Sequence, residues 1–182
     1  ARYFNTQGVV VSGYDKTPTL LTDALVEEGI QIHFEDDLNK IDKAATVIVY
    51  TPAIPTEHGE LNYYRDNKYL VVKRSDVLQW ITENAFTIAI AGTHGKTTTT
   101  SMTAHILRHT GYGCNAFLGG IATNYGTNFW SHEKNVVVVE ADEYDRSFLK
   151  LAPNIAVITA VDPDHLDIYG TAEEVVKAFG EF

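Results

Sequence analysis

Short apolar runs alternate with helically spaced segments along this chain, a rhythm that predicts strand–helix–strand units and a parallel sheet. Residues 8–12 read as a buried strand closed by Gly13. Over residues 18–28, Leu20, Leu21, Ala24, Leu25 and Glu28 recur at helical spacing, with Gly29 as the stop. Strands are predicted at 31–34, 46–50 and 69–73, with a helix over 58–66 between the last two. Ser75 can cap a helix over 76–82. The pattern then resets around 83–86. Residues 87–91 form a new strand, and a glycine-punctuated loop opens a helix over 96–109. Residues 135–139 and 155–161 are apolar apart from Asn135 and Thr159, so both are predicted as strands buried on two faces. A last helix begins over 172–179. A domain boundary is placed near residue 84, giving parts 1–84 and 85–182.

Composition narrows the function. The 182 residues carry 14 Lys+Arg against 24 Asp+Glu, a formal charge of −10. That balance argues against nucleic acid or an anionic membrane as partner, since both need a basic face. No apolar run approaches the roughly 18 residues that span a bilayer, and residues 1–5 lack the apolar core of a signal peptide. Cys114 is the single cysteine, which excludes an internal disulfide or a cysteine-based metal cluster. A soluble, cytoplasmic protein is the expectation.

The most informative segment is Ala91-Gly92-Thr93-His94-Gly95-Lys96-Thr97-Thr98. A strand enters a glycine turn and Lys-Thr-Thr opens a helix, so backbone N–H groups converge where the helix N-terminus adds positive potential. Lys96 can reach the outer phosphates of a nucleoside triphosphate, and the Thr97 hydroxyl can sit on Mg²⁺. The spacing is G-x-x-G-K-T, shorter than the strict phosphate-loop pattern, because Ile90 stands where that pattern needs glycine. Thr97–Thr100 are poor helix formers, so propensity does not explain them.

Two acidic clusters follow apolar strands. Glu140-Ala141-Asp142-Glu143-Tyr144-Asp145 comes directly after Val136–Val139. A carboxylate ending such a strand can hold Mg²⁺ against phosphates, and Glu140 is the best candidate; Asp142, Glu143 and Asp145 are equally well read as a solvated turn. In Asp162-Pro163-Asp164-His165-Leu166-Asp167, His165 can bind a second divalent ion or orient a carboxylate. His33, His58, His105, His109 and His132 read as structural or solvated.

GTHGKTTT at 92–99, EADEYDRSFL at 140–149 and DPDHLDIYG at 162–170 together resemble the Mur ligases of peptidoglycan synthesis. The resemblance covers nearly the whole chain. It implies an α/β fold, a Rossmann-like UDP-sugar-binding domain (1–84) followed by part of a P-loop-type ATPase domain (85–182). It implies ATP and Mg²⁺: Gly92, Thr93, His94, Gly95, Lys96, Thr97 and Thr98 around the ATP, with Thr97, Glu140 and His165 at magnesium. Lys96, Glu140 and His165 would serve catalysis. Asp15 and the loop residues Thr51, Ala53 and Ile54 would meet the UDP-sugar, as would His94, Asn124 and Asn128, the last two in a stretch with Gly119, Gly120 and Gly126. Arg74 resembles a basic position of the family, and a surface arginine is an equal reading.

The implied reaction is carboxylate activation. ATP phosphorylates the lactyl carboxylate of UDP-N-acetylmuramate, and the amine of L-alanine attacks the acyl phosphate. No side-chain nucleophile is needed. A family branch that joins a recycled peptide to the same nucleotide is the nearest alternative, and Arg146-Ser147-Phe148-Leu149 favours alanine. Other readings are a non-catalytic nucleotide-binding module and a dinucleotide oxidoreductase; the latter is disfavoured because no G-x-G-x-x-G occurs. The chain departs from the family in three places. It has no G-x-G-G-I-G loop, it stops inside the central domain, and it carries Glu35-Asp36-Asp37 where a histidine often contacts UDP. On these grounds residues 1–182 alone are expected to be nearly inactive.

Overall fold

A computed structural model of the chain describes residues 1–163 and 166–182, apart from the side chain of Asp145. The chain divides into two compact units, Ala1–Val77 and Leu78–Phe182. The division falls inside a helix, a few residues before position 84.

The first unit contains α1 (Arg2–Thr6), β1 (Ser12–Tyr14), α2 (Leu20–Glu27), β2 (Gln31–His33), β3 (Val47–Tyr50), α3 (Gly59–Asp66) and β4 (Leu70–Lys73), and α4 (Arg74–Glu83) begins in it. β1 pairs parallel with β2, and β3 with β4. The first strand is displaced from its expected place at 8–12. Gly8, at φ +78°, and Val9 instead turn back on α1, donating to Asn5 O and Phe4 O. The strand therefore starts at Ser12 and Gly13 lies inside it. α2 is capped by Thr19, whose Oγ accepts from Thr22 N while Thr22 Oγ accepts from Thr19 N. α4 follows β4 without a break, so Ser75 is not its cap. The Asp76 carboxylate, in the first turn of α4, accepts from Lys73 N at the end of β4 at 2.9 Å.

The acidic run at 35–37 is engaged within this unit. Glu35 pairs with Lys40 at 2.9 Å and Asp37 accepts from Asn39 N. Asp36 accepts from Gly59 N at 2.7 Å and Glu60 N at 2.9 Å, capping the positive end of α3. Burial raises the Asp36 pKa, but those two N–H bonds, with His58 and His33 nearby, hold it below its usual value overall. Because the folded pKa lies below the unfolded one, this stabilisation is present above roughly pH 4 and is lost as pH falls through the folded value. Asp36→Ala is therefore expected to destabilise the first unit by about 1 kcal/mol at neutral pH and by little at strongly acidic pH. Thermal unfolding across a pH series measures this; an equal loss at every pH contradicts it. Glu60 is buried and accepts from Asp37 N, with His33 Nε2 at 2.9 Å.

The second unit holds β5 (Phe86–Ala91), α5 (Lys96–His109), β6 (Asn115–Ala122), β7 (Thr127–Trp130), β8 (Val136–Glu140), a 3₁₀ segment (Tyr144–Lys150), β9 (Ile155–Ile158), α6 (Leu166–Tyr169) and α7 (Ala172–Glu181). Its sheet runs β7-β6-β8-β5-β9, parallel except for the antiparallel β6–β7 hairpin. Ile90, Ala104, Cys114, Ala116, Leu118, Trp130, Val136 and Val138 form a core between sheet and α5. Burial pushes the Cys114 thiol pKa up, as expected of a structural thiol.

β8 is buried along Val136–Val139, as its apolar run predicts. β9 departs from expectation. It ends at Ile158, and Ile155, Ala156 and Ile158 are exposed. Among the described residues β9 pairs with β5 on one side and with no strand on the other, so it forms a sheet edge. No described helix is long and apolar enough to cross a membrane.

Candidate functional site

β5 delivers the chain to a turn at its C-terminal end, and α5 starts after four intervening residues. Gly92 has φ +129° and Gly95, the N-cap of α5, has φ +83°. Side chains rarely adopt either conformation. At Gly92 space is also closed: a Cβ would collide with Thr159 Oγ1 and lie 2.8 Å from Ala160 N. Gly92→Ala is thus expected to destabilise the second unit by about 2–4 kcal/mol through overpacking and backbone strain. Denaturant unfolding measures it, and a change below about 0.5 kcal/mol contradicts the tight turn. Thr159 further braces the loop, its hydroxyl donating to Ala91 O and His94 O.

The remaining loop residues fall into place around this turn. Thr93 donates its N–H to Ala160 O, and its Oγ1 accepts from Asp162 N at 3.1 Å. His94 is exposed, with Nε2 3.8 Å from Asp162 Oδ2. Thr98 is exposed in the first turn of α5. Thr100 is buried, its hydroxyl donating to Lys96 O at 2.7 Å, which accounts for a threonine where propensity alone disfavours one.

Lys96 Nζ donates to Gly92 O at 2.8 Å and to Glu143 Oε1 at 2.9 Å, with Glu143 Oε2 2.8 Å away. Glu140 ends β8 in register with Ile90 of β5. Its Oε1 accepts from Thr97 Oγ1 at 3.0 Å and its Oε2 from Gly119 N at 2.9 Å. Two glycines of β6 make room for this pair. A Cβ on Gly119 would collide with the Glu140 carboxylate, and one on Gly120 would lie 3.4 Å from Thr97 Cγ2.

The fold therefore brings Gly92, Thr93, Gly95, Lys96, Thr97 and Glu140 to one end of the sheet, at the N-terminus of a fourteen-residue helix. Backbone amides, an ammonium and two hard oxygen donors meet there, a set that suits a polyphosphate with a magnesium ion. Among the described residues no three His, Cys, Asp or Glu side chains cluster as a metal site. His165 and Asp164 lie outside the described residues. Asn124 is exposed in the β6–β7 turn and Asn128 is half-buried on β7.

In the first unit, Asp15 follows β1, and its Oδ1 accepts from Thr17 N. It lines a hollow with Ser12, Tyr14, Leu25, Ile30 and Ile32. Thr51, Ala53 and Ile54 form a turn after β3, closed by Ile54 N donating to Thr51 O. Arg74 is exposed at the start of α4.

Sequence reasoning missed two features. Glu143 stood among three equivalent carboxylates, yet it is 2% exposed and paired with Lys96. Gly119 and Gly120 are placed by the sequence only in the stretch assigned to the UDP-sugar, whereas they sit inside β6 against Thr97 and Glu140. The run from Gly119 to Gly126 lacks a strand's apolar alternation, and a G-G pair offered no signal of a carboxylate across the sheet.

Comparison with known proteins adds an independent line. Residues 1–86 match the family described as Mur ligase family, catalytic domain, and residues 90–182 match the Mur ligase middle domain. The UDP-N-acetylmuramate–L-alanine ligase of Porphyromonas gingivalis strain W83 is 54% identical over 188 residues, covering 100% of this chain and 41% of the relative. The enzyme of that name from Flavobacterium johnsoniae is 51% identical over 186 residues, again 100% and 41%. The crystal structure of UDP-N-acetylmuramate–alanine ligase MurC from Thermotoga maritima superposes with TM-score 0.88 at 29% identity, over 100% of this chain and 43% of that one. The chain thus spans about two fifths of the length of the curated relatives it matches.

Proposed function

Since this chain belongs to the Mur ligase family, we propose that the protein carrying it joins L-alanine to UDP-N-acetylmuramate at the expense of ATP, in building peptidoglycan. One observation carries this reading: Lys96, Thr97 and Glu140 converge at the N-terminus of α5, with Thr97 Oγ1 3.0 Å from the Glu140 carboxylate. The names of the relatives more than 50% identical support the choice of alanine and of the nucleotide sugar.

On this reading the amides of Gly92, His94 and Gly95 and the Lys96 ammonium bind the phosphates of ATP, while Thr93 braces the turn through its N–H to Ala160 O. Thr97 and Glu140 would hold Mg²⁺, a hard cation that takes oxygen donors; when bound, it offsets the charge of the phosphoryl oxygens. Lys96 stabilises the charge that grows on the transferred phosphoryl group, and the rigid turn aligns it with the lactyl carboxylate. The resulting acyl phosphate is attacked by the amine, with loss of inorganic phosphate. His165 is assigned to a second magnesium site. Asp15, Thr51, Ala53, Ile54, His94, Asn124 and Asn128 are assigned to the UDP-sugar; the hollow beside Asp15 supports its part, since a strand-end carboxylate can accept from a ribose hydroxyl.

Phosphate release tests the proposal. The protein carrying this chain, given MgATP and UDP-N-acetylmuramate, is expected to release phosphate with L-alanine and far more slowly with a tripeptide. Faster release with the tripeptide would assign it to peptide recycling. Release that ignores both amines would overturn the ligase reading.

A further inference from the structure

Glu143 is a buried carboxylate that the proposed chemistry does not use. It is 2% exposed, while the Lys96 side chain is 16% exposed, and the two are in direct contact. A carboxylate this deep stays charged in a fold only when a counter-charge and hydrogen bonds compensate its lost hydration. Lys96 supplies that charge: Nζ lies 2.9 Å from Oε1 and 2.8 Å from Oε2. The same ammonium donates to Gly92 O at 2.8 Å, so the lysine is fixed by the first glycine of the turn on one side and by Glu143 on the other.

Glu143 is itself held. The buried Tyr169 of α6 donates its hydroxyl to Glu143 O at 2.6 Å, Arg146 N donates to that carbonyl at 3.1 Å, and the Arg146 guanidinium lies 5.0 Å from the Tyr169 ring centre. A chain of contacts thus runs from the last part of the second unit through the Glu143 main chain to the lysine of the turn. Glu140, three residues earlier, faces Thr97 and Gly119 instead, so the two acids have separate tasks.

We propose that Glu143 is a positioning residue that clamps the Lys96 ammonium, setting its place in the turn and competing with phosphate for its charge. This rests on the assignment of 92–98 to ATP. Two opposed effects follow for Glu143→Gln, which keeps shape and an acceptor but removes the charge. The ammonium becomes more available to phosphate, so nucleotide binds more tightly in the ground state. It also loses the partner that aligns it for transfer, so kcat falls. Binding and turnover part company, a pattern that marks loss of alignment rather than loss of binding contacts.

The test uses the protein carrying this chain, a non-hydrolysable ATP analogue with Mg²⁺, and steady-state ligation. Glu143→Gln is expected to lower the Kd for the analogue about threefold to tenfold and kcat about tenfold or more. Tyr169→Phe, which loosens the Glu143 main chain but keeps both charges, is expected to move both quantities in the same direction by less. A folded Glu143→Gln protein with unchanged or weaker analogue binding overturns the clamp while leaving the ATP site standing. A parent protein that does not bind the analogue overturns both. Should Glu143→Gln fail to fold, Tyr169→Phe decides alone: no tighter binding and no fall in kcat overturns the clamp.

Discussion

Lys96→Ala is expected to abolish ATP-dependent turnover in the protein carrying this chain, with kcat reduced about 10³-fold or more. Lys96 is the only cation among residues 91–100 apart from the titratable His94, and it lies in the first turn of α5, where it adds a full charge to the helix's partial one. Truncation removes that charge and also leaves Glu143 buried at 2% exposure without its ammonium partner. Breaking one side of a buried pair destabilises a fold by about 3–5 kcal/mol. The loss of turnover must therefore be read beside an unfolding measurement. Lys96→Met, which keeps most of the side chain's volume, should lose turnover as fully. Turnover within a few-fold of the parent in a folded variant contradicts the role given to Lys96.

Glu140→Gln carries the second largest expected effect. The amide fills the same space beside Gly119 and still accepts one hydrogen bond, so the strand end should fold unchanged. It lacks the charge that draws a divalent cation to the Thr97 hydroxyl. Turnover is expected to fall about 10²-fold, and the Mg²⁺ concentration for half-maximal rate to rise about tenfold. A magnesium titration at saturating ATP measures both. A variant with parent-like magnesium dependence removes Glu140 from the metal site.

The site's skeleton is legible in the residues because its parts announce themselves locally. Gly92, Gly95 and Lys96 mark a strand-to-helix turn by spacing alone, and α5 runs over Lys96–His109 as its pattern predicts. Glu140 is identified by the four valines before it, since an all-apolar strand that ends in an acid must place that acid at the strand's mouth. What stayed hidden depends on neighbours distant in sequence. Glu143 and Asp142 look alike in the chain, but one is buried against a lysine 47 positions away and the other is exposed. Gly119 has no unusual φ; its need for hydrogen in place of Cβ comes from Glu140 across the sheet. The first strand was misplaced because apolar Val9–Val11 satisfies a strand pattern, while Gly8 turns that segment back to cap α1. Among the described residues β9 pairs on one side only, and its exposure goes with that position, which its own composition does not encode.

The central claim is that the turn between β5 and α5, tipped by Lys96, grips a polyphosphate whose magnesium is shared with Glu140. A crystal soaked with Mg²⁺ and a non-hydrolysable ATP analogue tests it most directly. Phosphate density is expected against the amides of residues 94–97 and the Lys96 ammonium, with a metal between the Thr97 hydroxyl and the Glu140 carboxylate. Phosphates seated elsewhere at full occupancy, or a metal that leaves Glu140 untouched, would contradict it.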